Sequence, residues 1–108
     1  MTTPTLIKLT KIIKDRRQST AEKSYTKSLI EAGPEKCCKK LGEEATEMII
    51  AALSEPETSF KEEAADVLYH YLVLLEAKNV ALPDIETILE TRMGLSGHEE
   101  KASRTSGT

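Results

Sequence analysis

The chain has 108 residues, 39% of them hydrophobic and 31% charged, with a formal net charge of -3. These figures fit one globular domain rather than a disordered chain. They supply no excess of positive charge to draw nucleic acid or an anionic membrane as partner, so an anionic substrate has to be met by a local basic cluster.

Only five glycines and four prolines interrupt the sequence, and alternating β-type patterns are scarce, so the expected fold is all-α with about five helices. Met1 to Thr5 has neither a basic start nor a following apolar run, which gives no signal pattern. The longest apolar stretch, Val67 to Leu75, is interrupted by His70 and falls well short of the roughly 18 residues that span a bilayer. A cytoplasmic protein is expected.

The first helix is predicted from Thr5 to about Arg17, with Leu6, Leu9, Ile12 and Ile13 on one face. Gln18 to Lys23 reads as a polar loop. A short helix follows from about Ser24 and stops at Gly33-Pro34, which starts the next. The third helix is expected over Glu35 to Leu53, with an apolar stripe of Leu41, Ala45, Met48, Ile49 and Ala52. Cys37 and Cys38 are adjacent, point about 100° apart on a helix and so do not pair with each other. They read as reduced thiols, at least one of them packed.

A short connection, Ser54 to Thr58, leads to a fourth helix that Ser59 is placed to cap and that runs to about Lys78. Ala64, Val67, Leu68, Tyr71, Leu72, Val73, Leu74 and Leu75 make it apolar on most of its circumference. Such a helix is buried on several sides, more than one short chain provides, and a homodimer is therefore expected. After the link Asn79 to Leu82, a last helix is predicted from Asp84 to Met93 with Ile85, Ile88 and Leu89 inward. The domain is expected to span residues 1–104, and residues 105–108 to form a disordered end.

Two acidic pairs stand out. Glu44 and Glu47 are three apart in E-E-A-T-E, and Glu63 and Asp66 in E-E-A-A-D; residues at that spacing share a helix face. By frequency alone such pairs mean little. The short connection, however, makes helices three and four an antiparallel hairpin. With the turn centred near Glu55, Glu44 lies level with Asp66, Glu47 with Glu63, and Lys40 with His70. Four carboxylates then converge beside the apolar groove. They repel one another, the more so when partly buried, and call for a cation. An all-oxygen set suits Mg²⁺, with Mn²⁺ as substitute, and Mg²⁺ favours phosphate chemistry such as hydrolysis of a phosphoanhydride. The competing reading is a solvated acidic face with ion pairs from Lys40 to Glu43 or Glu44.

Lys40 is placed to hold a phosphate oxygen. His70 reads either as a packed core histidine or as a donor to a carboxylate. Lys36, Lys39 and Lys40 form one basic group, Lys11, Lys14, Arg16 and Arg17 a second, and Lys101 with Arg104 a third. Each alone is an ordinary solvated face; together they are the positive features able to receive a nucleotide. No Gly-rich phosphate loop and no Ser/His/Asp or Cys/His arrangement is present.

Several blocks together resemble the phosphoribosyl-ATP pyrophosphatase family of histidine biosynthesis. They are Ser24-Tyr25-Thr26; Gly33-Pro34 with Lys36; Lys39-Lys40-Leu41-Gly42-Glu43-Glu44-Ala45 with Glu47; Glu63-Ala64-Ala65-Asp66 with Leu68-Tyr69-His70; and Ser96-Gly97 with Glu99-Glu100-Lys101-Ala102-Ser103-Arg104. The resemblance covers about Leu6 to Arg104. The E-x-x-E and E-x-x-D core alone would indicate only the wider all-α nucleotide pyrophosphatase superfamily.

The resemblance implies Mg²⁺-dependent hydrolysis of phosphoribosyl-ATP between its α and β phosphates, by a dimer whose helices complete a bundle. The products would be phosphoribosyl-AMP and pyrophosphate. It places the metal on Glu44, Glu47, Glu63 and Asp66, with Glu43 as an extra ligand or a base that orients water. Glu43, Glu44 and Glu47 are thus the candidate catalytic groups. Lys36, Lys40, Arg17, Tyr25, Lys101 and Arg104 are the candidate substrate contacts. The length leaves no room for the cyclohydrolase sometimes fused to such domains. The adjacent cysteines and the Gln18–Lys23 loop stand outside the family's pattern. Two other readings remain: a housekeeping pyrophosphatase acting on nucleoside triphosphates, and a non-enzymatic helical dimerisation module.

Overall fold

The computed structural model describes residues 3–20, 22 and 24–94. The block from Ser96 to Arg104, with Lys101 and Arg104, and the end expected to be disordered lie outside the described residues. Among the described residues there are five α-helices and no strand: α1 (Pro4–Arg16), α2 (Tyr25–Ala32), α3 (Pro34–Ser54), α4 (Glu57–Ala77) and α5 (Leu82–Met93).

Local chemistry sets the boundaries. Thr3 caps α1 by accepting from the Leu6 amide at 3.2 Å, and Pro4 occupies the first turn, where its missing N–H costs nothing. Ser24 caps α2 through the Lys27 amide at 3.1 Å. Gly33 ends α2 and begins α3 with φ 100° and ψ 170°, a backbone region essentially closed to other residues. A Cβ there would meet nothing within 4 Å, so the restriction is torsional and not a clash. Gly33→Ala is expected to cost about 1–3 kcal/mol and to lower the melting temperature by several degrees; an unchanged melt would show that the turn relaxes freely. At the far end of α4, Asn79 takes φ 58°, and the Val80 amide reaches back to the Leu75 carbonyl at 2.9 Å, the pattern of a Schellman cap.

The most extensive helix–helix contact is the antiparallel hairpin of α3 and α4, joined through only Glu55 and Pro56. The fourth helix starts earlier than the sequence predicts: Pro56, not Ser59, is its N-cap, and no side chain caps it. Extended backbone at Glu55 and Pro56 turns the chain, and a proline readily precedes a helix. The last helix likewise starts at Leu82 with Pro83 in its first turn.

Ile13, Leu29, Cys37, Leu72 and Val73 form the buried core, with Leu6, Leu9, Ile30, Tyr69 and Leu75 among the residues packed against it. Cys37 is 1% exposed and its Sγ donates to the Leu29 carbonyl at 3.4 Å; Cys38 is exposed and both thiols are free. The core therefore lies where α1 and α2 cover the half of the hairpin farther from its turn.

The inward face of α3 differs from the predicted stripe. Cys37, Leu41, Glu44, Met48 and Ala51 are its covered seam, spaced alternately four and three, the period of helices that pack side by side. Ile49 is 56% exposed, and Ala52 is exposed while Ala51 is fully buried. In α1 and α5, Ile12, Ile88 and Leu89, all expected inward, are also exposed. On α4 the matching seam runs Glu63, Val67, His70, Leu74 and Ala77. Polar residues thus occupy both seams at the same height of the hairpin.

Candidate active site

Glu44 on α3 and Glu63 and Asp66 on α4 each place a carboxylate oxygen within 4.8 Å of the others'. Among the described residues this is the one group of three such side chains able to hold a metal ion. The level pairing of Glu44 with Asp66 follows from the two-residue turn. Glu47 stands on the rim: it is exposed and opposes the ionisation of both Glu44 and Glu63. Being three residues on, it trails Glu44 by about 60° around the helix, so one carboxylate sits in the seam and the other beside it.

The electrostatics are those of crowded like charges. Burial pushes the Glu44 carboxyl above its ordinary range, followed by the hydrogen bond and charge of Glu47 and the charges of Asp66 and Glu63. Burial likewise raises Glu63, helped by Glu47, Asp66, Glu55 and Glu62. The Glu63 Oε2 atom is buried with no hydrogen-bond partner among the described residues. Buried polar atoms are rarely left so. An oxygen-only donor set carrying a carboxylate oxygen that lacks a donor fits a hard divalent cation.

His70 is 6% exposed, and its Nε2 lies 4.0 Å from Glu44 Oε1, too far for a hydrogen bond. Its Nδ1 is buried without a partner among the described residues. Burial holds the imidazole below its usual pKa, reinforced by the Lys40 charge and opposed by Asp66. Two tyrosine rings wedge it: Tyr69 at 4.9 Å and Tyr25 at 6.1 Å between centroids, both edge-on.

Lys40 lies one turn before Glu44 and pairs with Glu43 at 3.5 Å. Its ammonium pKa is raised, first by Tyr25 and then by Glu43. Lys40, Glu43, Glu44, Thr46 and Glu47 line an open depression of about 410 Å³. Tyr25 is 53% exposed beside this mouth. Lys36 is exposed one turn before Lys40. Arg17 is placed elsewhere: its Nη1 donates to Glu76 Oε2 at 2.7 Å, to Asn79 Oδ1 at 2.9 Å and to the Glu76 carbonyl at 3.2 Å. It ties the end of α1 to the end of α4, about two turns past His70. No sequence period points to this tie, nor to the contact of Thr26 Oγ1 with the Tyr69 hydroxyl at 2.6 Å. The one signal for the second is that Thr26 and Tyr69 both stand in the blocks that carry the family resemblance.

A family model described as phosphoribosyl-ATP pyrophosphohydrolase matches residues 6–93. A protein of Methylobacterium nodulans named phosphoribosyl-ATP pyrophosphatase is 50% identical over 96% of this chain and 97% of its own length. One of Rhodopseudomonas palustris, named phosphoribosyl-ATP pyrophosphatase 1, is 49% identical over 93% and 94%. One of a Ruegeria species, named phosphoribosyl-ATP pyrophosphatase, is 48% identical over 92% and 94%. With the family matched over most of its length, and an acidic helical hairpin at its centre, the chain belongs to the phosphoribosyl-ATP pyrophosphohydrolase family.

Proposed function

We propose that this chain hydrolyses the α–β phosphoanhydride of phosphoribosyl-ATP, releasing phosphoribosyl-AMP and pyrophosphate, as an early step of L-histidine biosynthesis in the cytoplasm. The observation that carries the reading is the convergence of the Glu44, Glu63 and Asp66 carboxylates within 4.8 Å of one another at one level of the hairpin, with a buried Glu63 oxygen left without a donor among the described residues. Mg²⁺, or Mn²⁺ in its place, fits there, held by Glu44, Glu63 and Asp66 with Glu47 at the rim. When bound, the ion neutralises charge building on the phosphates and makes water a better nucleophile.

The chain's own groups supply the rest. Lys40, charged at neutral pH and steadied by Glu43, offers a phosphate contact at the open side of the site, and Lys36 a further cation one turn away. Glu43 and Glu47, both exposed at that mouth, are placed to orient water and take its proton. Tyr25 presents a partly free ring beside Lys40 to the rest of the nucleotide. Among the described residues no helix is long and apolar enough to cross a membrane.

The working unit is a homodimer. A radius of gyration of 16.1 Å exceeds the roughly 13 Å of a compact chain of this length, and the turn end of the hairpin has an uncovered apolar face.

Pyrophosphate release, measured with Mg²⁺ on phosphoribosyl-ATP and on a panel of nucleoside triphosphates, tests the activity. Release from phosphoribosyl-ATP is expected. Release from the panel alone would move the chain to a housekeeping role, and no release at all would leave it a helical module. Mg²⁺ is also expected to raise the melting temperature, because it binds the folded site and relieves its repulsion. At a hundredfold excess over Kd the gain is about 2.7 kcal/mol. A melt unmoved by saturating Mg²⁺ would contradict a preformed site.

A further inference from the structure

We propose that Thr26 and Tyr69 are positioning residues, a hydroxyl latch between α2 and α4 that fixes the His70 ring against Glu44; the idea rests on the activity proposed above. A histidine beside a metal site is normally held by a hydrogen bond through its other ring nitrogen. Here Nδ1 has no such partner among the described residues, so ring packing has to set the orientation. Tyr69 is the nearer wedge, at 4.9 Å and 76° to the imidazole. Its own place is set by its hydroxyl, 2.6 Å from Thr26 Oγ1, with Thr26 only 4% exposed.

The latch also seats Tyr25. That ring lies stacked on Tyr69 at 6.5 Å and 18° and meets the imidazole edge-on. An eight-residue helix such as α2 has little stability of its own. Its seat on α4 therefore draws on Leu29 and Ile30 at the core and on this part-buried pair. Loss of either hydroxyl strands the other and lets Tyr69, and with it His70, take more than one pose. The Glu44 carboxylate, 4.0 Å from the imidazole, then faces a neighbour without one fixed place, although neither latch residue is among the proposed substrate contacts.

The test compares Thr26→Val, Tyr69→Phe, the double variant and Thr26→Ser with the wild type. Mn²⁺ affinity of the metal-free proteins is read by EPR titration, alongside kcat and KM. Both single variants are expected to bind Mn²⁺ about 10-fold more weakly and to lose about 10-fold in kcat, the range seen when a ligand's supporting partner is removed, with a smaller rise in KM as Tyr25 loses its seat. The double variant should be no worse than either single, since the two hydroxyls act as one unit. Thr26→Ser, which keeps the hydroxyl, should restore both quantities to within about twofold, on the same argument. Variants that melt well above the assay temperature yet keep wild-type Mn²⁺ affinity and kcat would overturn the latch. Absence of pyrophosphate release by the wild type would instead count against the proposed activity, and Mn²⁺ affinity would still decide the latch.

Discussion

Replacing Glu44 by glutamine is expected to abolish turnover and, in the absence of metal, to make the protein more stable. The two effects share one cause. Glu44 lies in the hairpin seam with its side chain 15% exposed, and Glu47, Asp66 and Glu63 all oppose its ionisation. Glutamine keeps the shape and removes the charge. For catalysis this deletes a proposed metal ligand, and the loss should exceed the roughly 10–100-fold cost of losing a ligand's supporting partner. For stability it removes first the cost of burying the charge and then the repulsion from Glu47, Asp66 and Glu63, both of which the folded state endures and the unfolded chain escapes. Solvent screening holds the relief below about 1 kcal/mol, or up to ~4–8 °C in the melting temperature of a domain this size.

The sign with pH follows from the direction of the shift. A carboxyl raised in the folded state above its ordinary 4.5 keeps its proton where the unfolded chain has already lost it. Folded stability therefore falls as pH climbs from that ordinary value through the raised one, and stays low above it. The metal-free wild type should lose stability across that window, and Glu44→Gln should lose less of it. The gap between the two melts should be widest at neutral pH and should close toward pH 4.5. Saturating Mg²⁺ should reverse the order by lifting only the wild type. A glutamine variant that melts lower than metal-free wild type at neutral pH would mean that Glu44 stabilises the seam as a carboxylate and does not burden it.

The convergence of Glu44 with Glu63 and Asp66 was legible in the sequence because its geometry is local arithmetic. A two-residue turn fixes which residues of α3 and α4 share a level, and a three-residue spacing keeps Glu63 and Asp66 on one face. The same arithmetic brought Lys40 near enough to His70 to bear on its protonation. Where it went astray, the cause was a helix with two apolar faces. Leu41, Ala45, Met48, Ile49 and Ala52 look like the inward stripe because they are apolar, yet of these Ile49 and Ala52 are exposed. The seam keeps Leu41 and Met48 and adds Cys37, Glu44 and Ala51, and apolar content cannot reveal a seam that includes a glutamate. Contacts such as Arg17 with Glu76, 59 residues apart, and Thr26 with Tyr69, 43 apart, follow no period at all. They exist because the whole chain packs, so sequence spacing could not show that Arg17 braces two helix ends.

The second apolar face of α3 leads to the other large effect: Ile49→Glu combined with Leu53→Glu is expected to yield a monomer. Ile49 is 56%, Ile50 50% and Leu53 84% exposed, with Phe60 and Leu68 of α4 also open to solvent. Exposed large apolar side chains gathered on neighbouring turns of two packed helices mark an interaction surface. Gly42 points the same way. It lies mid-helix on the stripe that continues through Thr46, Ile49 and Leu53, and a Cβ there would meet nothing within 4 Å. Glycine costs a helix roughly 0.8–1.0 kcal/mol relative to alanine, and nothing among the described residues calls for it. The close backbone of a second helix would. In a twofold dimer each substitution counts twice, so the pair removes four apolar side chains from the interface and sets acidic groups there. At about 1.5–3 kcal/mol for each buried side chain, the loss is on the order of 6 kcal/mol or more, at least four powers of ten in Kd. Analytical ultracentrifugation should show a wild-type dimer at micromolar concentration and a monomeric double variant. That monomer should also melt lower, since association contributes to the stability of the fold. A wild type that sediments as a monomer at the same concentration would refute the dimer, and the exposed face of α3 would then need another partner.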